Sequence, residues 1–134
     1  MSDPALRLLF DIVESPMHPD LGPLSTELGW QRMAFTQQRK AIAQLKRTPP
    51  AMIVADFFYG YGNNYAGANV SNLDVLLRSV QRFAPAARIV VLAEPAEQEH
   101  VGKLADLFML HTVIRLPAGD AELREALAAD WFGP

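Results

Sequence analysis

Two runs of this chain, Ala51–Ala55 (AMIVA) and Arg88–Ala93 (RIVVLA), are apolar almost without interruption. A strand with one wet face alternates apolar and polar residues. A short continuous run instead suits a strand buried on both faces, as parallel sheets require. Leu6–Phe10 is a third such run, closed by Asp11. Trp30–Phe35 and Val113–Leu116 read as less regular strands, the latter ended by Pro117.

Between these runs the apolar period changes to that of a helix. Leu21, Leu24 and Leu28 keep helical spacing, with Gly29 as a stop. Thr36 caps a helix running to about Arg47, with Ile42 and Leu45 inward, and Thr48-Pro49-Pro50 ends it. Ser71 opens the clearest helix, with Leu73, Leu76, Leu77 and Val80 on one face and Asp74 completing a capping-box pattern. Pro95 fits the first turn of a helix that turns Val101, Leu104 and Phe108 inward. Asp120 caps a last helix carrying Leu123 and Leu127 inward.

Strand and helix therefore alternate five times. Right-handed crossovers between parallel strands place helices on both faces of the sheet. The expected fold is α/β, a flavodoxin-like, doubly wound sheet of five strands in the order 2-1-3-4-5, formed by one domain over 1–134.

Composition narrows the function. Half the residues are apolar and 20% charged, which suits a packed domain. The net charge of −3 gives no broad surface for a polyanion, so no nucleic-acid partner is expected. The absence of cysteine removes disulfides, thiolate zinc sites and a cysteine nucleophile. No apolar run approaches a membrane span, and the start Met1-Ser2-Asp3-Pro4 does not resemble a signal peptide. A cytoplasmic location without membrane partners is expected.

In order and spacing, several local features resemble the receiver domain of bacterial response regulators. They are Phe10-Asp11, the step Ile53-Val54-Ala55-Asp56, the helix Asn72-Leu73-Asp74-Val75-Leu76-Leu77, the strand Ala87–Leu92, and Leu116-Pro117 before a final helix. The resemblance spans about Leu6 to Leu127. It implies a phosphoacceptor at Asp56 and a weak Mg²⁺ site formed by Asp11 and Asp56. It also implies a second acidic residue beside Asp11, a hydroxyl after the fourth strand and a lysine after the fifth. This chain departs from that set: Ile12 stands at the second acidic position unless Glu14 reaches in from the loop, Ala93 at the hydroxyl and Leu116 at the lysine. The departures imply impaired or absent phosphorylation.

The segment Phe57–Asn69 holds all three tyrosines, Tyr59, Tyr61 and Tyr65, among Gly and Asn. That composition suits adaptable contact surfaces. The tyrosines and Leu116, which would make the rim apolar, are expected binding residues for another signalling protein or a second copy of the chain. The resemblance places such contacts on the face of the fourth helix, fifth strand and fifth helix. His18, His100 and His111 show no zinc spacing and read as surface or loop residues. The basic positions from Arg32 to Arg47 read as a solvated helix face. Two functions stay open: a degenerate receiver acting through protein contacts, and a small-ligand-binding domain with a pocket formed by Asp11, Asp56 and the tyrosine loop. An enzyme using Asp56 as base or nucleophile has the least support.

Overall fold

The computed structural model describes residues 7–60 and 71–128. Five parallel strands, β1 (Leu8–Ile12), β2 (Gln31–Phe35), β3 (Met52–Phe57), β4 (Arg88–Ala93) and β5 (Thr112–Arg115), form one sheet in the order β2-β1-β3-β4-β5. The connecting helices are α1 (Gly22–Glu27), α2 (Gln38–Arg47), α3 (Asp74–Phe83), α4 (Val101–Ala105) and α5 (Asp120–Leu127). The doubly wound order is the expected one.

Alternation along the strands divides the core in two. Phe10, Ile12, Ile53, Ala55, Phe57 and Val91 pack with Leu45 of α2, Leu76 and Val80 of α3, and Leu104 of α4. Leu9, Met52, Val54, Leu92 and Ile114 face the other way, onto Leu24 of α1 and Leu123 and Leu127 of α5. The edge strand β2 is held through the residue just before it. Trp30 is buried, and its indole N–H donates to the Leu127 carbonyl at 2.7 Å.

Local details refine the sequence expectations. Gly29 does stop α1, in a Schellman turn: the Trp30 N–H reaches the Ser25 carbonyl, the Gly29 N–H reaches that of Thr26, and Gly29 takes φ +82°. The helix expected from Pro95 is split into a 3₁₀ segment, Pro95–His100, and the short α4. Ser71 and Asp74 do bond each other, with the Ser71 N–H and hydroxyl both donating to Asp74 Oδ1, but the helix proper starts only at Asp74. Strands β1 and β3 each run past the aspartate expected to follow them. Asp11 and Asp56 therefore lie inside strands, on the α1/α5 face at its carboxyl end.

Candidate functional site

Asp11 and Asp56 are buried, at 0% and 1% exposure. Two carboxylates withdrawn from water are costly without opposite charge and hydrogen bonds. The chain supplies both from its own residues.

The connection from β1 to α1 crosses the strand ends in a tight turn. The His18 N–H donates to the Ser15 carbonyl at 3.1 Å, with Pro16 at the second position, where its fixed φ favours such a turn. The Ser15 hydroxyl accepts the Met17 N–H at 3.0 Å and donates to Glu94 Oε2 at 2.6 Å, tying the loop to the end of β4. The N–H groups of Glu14 and Ser15 donate to Asp56 Oδ2 at 2.8 and 3.0 Å.

This turn inserts the His18 ring between the two acids. Nε2 lies 2.6 Å from Asp11 Oδ1, and Nδ1 lies 2.9 and 2.8 Å from the two oxygens of Asp56. Arg32 Nε donates to Asp11 Oδ2 at 2.8 Å. The His18 side chain is 1% exposed. Ionised carboxylates only accept hydrogen bonds, so a ring with both nitrogens against them must carry both protons. Burial alone would lower the His18 pKa. The hydrogen bonds to Asp11 and Asp56, with their charges, outweigh it and push the value up to about 9. Two acids and two cations thus form a charge-balanced cluster, buried at His18, Asp11 and Asp56 and reached by solvent at Arg32.

Several expectations change here. His18 is not an ordinary loop histidine, because it is the residue that joins Asp11 to Asp56. Arg32 is not on a helix face: it sits on β2 and pairs with Asp11. Glu14 does not bring a carboxylate to the pair. Its Oε1 accepts from Gln38 Nε2 at 2.9 Å and Asn72 Nδ2 at 3.1 Å, and only its backbone N–H serves Asp56. Ile12 and Ala93 are fully buried and contribute no polar group. Leu116 is 1% exposed and packs in the α1/α5 core, so it offers no rim to a partner.

Nor do the residues fit a magnesium ion. Mg²⁺ needs near-octahedral oxygen ligands at about 2.0–2.1 Å. Every side-chain oxygen of Asp11 and Asp56 already faces a protein donor.

Of the three tyrosines, Tyr59 lies within the described residues, and Tyr61 and Tyr65 lie outside them. The Tyr59 ring stacks on His100, with centroids 4.0 Å apart and planes 12° apart. Lys103 Nζ sits 4.6 Å from its ring centroid and 3.1 Å from its hydroxyl. The Tyr59 N–H donates to Glu97 at 2.7 Å, and the residue remains 42% exposed. Leu107, Met109 and Val113, in the α4–β5 stretch, are also exposed.

Searches of family models and of curated sequences find no match. Solved structures with the same fold do exist. The receiver domain of AraT, a response regulator from Geobacillus stearothermophilus, aligns with TM-score 0.66 at 12% identity, covering 91% of this chain and 90% of that one. A response regulator receiver protein from Sinorhizobium medicae aligns with TM-score 0.64 at 20% identity, covering 90% and 89%. A structure described as an adenylate cyclase from Rhodopirellula baltica aligns with TM-score 0.65 at 13% identity, covering 91% and 84%. The chain therefore has the fold of response regulator receiver domains. Among the described residues, no helix is long and apolar enough to cross a membrane.

Proposed function

We propose that this chain is a single receiver-like domain, working in the cytoplasm, that acts in signal transduction through protein contacts rather than through regulated phosphorylation. The observation that carries this reading is the state of Asp56. At the phosphoacceptor position a carboxylate must be reachable, with a free oxygen to attack phosphorus. Here Asp56 is 1% exposed and engaged by His18 and two backbone N–H groups. The groups that would hold a phosphoryl oxygen are replaced by the side chains of Ala93 and Leu116.

The test is incubation with acetyl phosphate and Mg²⁺, followed by mass spectrometry and sizing. Unmodified protein of unchanged oligomeric state is expected. A stable adduct on Asp56 coupled to altered assembly would overturn the reading.

We assign the contact surface to Tyr59, which sits against His100 and Lys103 at the start of α4, together with the tyrosine-bearing segment that follows it in sequence. Tyr59 is held by stacking, a cation and a backbone hydrogen bond while the residue stays 42% exposed, so little conformational entropy is lost on binding. The partner is another signalling protein or a second copy of the chain. Replacing Tyr59, Tyr61 and Tyr65 together by Ala is expected to weaken capture or self-association by at least ~2 kcal/mol at matched stability. Unchanged association in a pull-down would place the interface elsewhere.

The small-ligand alternative needs access to Asp11 and Asp56 from solvent. Their burial beneath the His18 turn does not favour it.

A further inference from the structure

We infer that His18 is the resident cation of this site: its ring takes the place between Asp11 and Asp56 that a divalent ion would need, and the 13–21 loop thereby becomes a plug over Asp56. The inference deepens the receiver-like reading above by saying what shuts its acidic site, and it fails separately from that reading.

Three observations support it independently of any titration. The ring contacts both acids at once, through opposite nitrogens, which requires it to lie between them. The loop that carries it is fixed at both sides of the ring. Glu14 and Ser15 are bonded to Asp56 before it, and after it Leu21 is fully buried in the α1/α5 core. Finally, Ser15 is anchored to Glu94 beyond β4, so the plug is tied to a third strand end. A metal could enter only by displacing the imidazole and breaking the turn that presents it. The site then has one cation built into the chain, present whatever the metal supply.

Removing the ring while keeping the acids should leave room for the ion that the wild type refuses. The experiment titrates Mn²⁺, a paramagnetic probe, into the full chain and follows the amide resonances of Glu14 and Ser15. In the wild type, millimolar Mn²⁺ should leave these resonances no more broadened than exposed control amides. In His18→Ala they should broaden selectively, and at roughly tenfold above its Kd the ion should raise the variant's Tm by about 3–5 °C. His18→Lys, which restores a cation on the loop, should be as blind to Mn²⁺ as the wild type. Selective broadening in the wild type equal to that of His18→Ala would overturn the inference. So would a folded His18→Ala that Mn²⁺ does not touch, or a His18→Lys that binds it as the alanine variant does. Should the alanine variant not fold, selective broadening of Glu14 and Ser15 beyond the exposed control amides in the wild type or in His18→Lys overturns the inference by itself. An Asp56 adduct with acetyl phosphate, by contrast, tells against the phosphorylation-independent reading, whatever Mn²⁺ does.

Discussion

Replacing Asp56 with Ala is expected to destabilise the domain by about 3–5 kcal/mol, measured by urea unfolding, because it breaks a buried ion pair from one side. The truncation strands three donors at once: the N–H groups of Glu14 and Ser15 and the protonated Nδ1 of His18. It also leaves His18 and Arg32 facing Asp11 alone, so that the buried His18 ring keeps its charge beside one acid instead of two. An aspartate kept only for chemistry would behave differently. A reactive carboxylate at a strand end is solvated, and its loss costs little stability. A change below ~1 kcal/mol, the usual range for a substitution without a buried partner, would show that the loop is held by something other than this acid. A double-mutant cycle of Asp56→Asn with His18→Gln should return a coupling energy within about 0.5–3 kcal/mol, as for residues sharing one network.

How far the sequence reveals such a site depends on which interactions leave a local trace. The strands of the core do, because burial on both faces writes an apolar run: Arg88–Ala93 has the bounds expected from its residues. The ends of β1 and β3 do not. A polar residue normally marks a strand's exit from the core, so Asp11 and Asp56 looked like terminators. They lie within the strands because His18 and Arg32 neutralise them there. That compensation comes from seven residues away for His18 and from a different strand for Arg32, and no periodicity reports it. One signal was available. Ser15-Pro16-Met17-His18 is a turn sequence in the loop that must cross the ends of β1 and β3, and it carries the nearest histidine to Asp11. Leu116 was misplaced for the converse reason. Its place at the lysine position that the receiver resemblance implies points to the rim, whereas alternation with Ile114 turns it into the α1/α5 core.

The same cluster makes stability depend on pH above neutrality. The His18 pKa rises from 6.5 unfolded to about 9 folded, so the folded state binds the proton more tightly. Its contribution is complete below pH 6.5 and is lost as pH rises through 9. Over that window the loss amounts to about 3 kcal/mol, and the side chain is too buried for solvent to screen it. His111 acts in the opposite sense. Burial, with Arg88 nearby, lowers its pKa, so its contribution weakens on the acid side of 6.5. The alkaline slope therefore belongs to His18, and His18→Gln should flatten it while lowering stability at neutral pH.

The most direct measurement is of the ring itself. Heteronuclear NMR of the imidazole nitrogens in the wild-type chain follows each histidine through its own titration. The His18 ring should keep both protons through neutrality and titrate at about 9, with both nitrogens shifted as in a doubly hydrogen-bonded imidazolium. His111 should titrate below 6.5 in the same spectra. A His18 midpoint near 6.5, the value of an imidazole in water, would mean that the ring does not bridge Asp11 and Asp56 and that the acidic site is open.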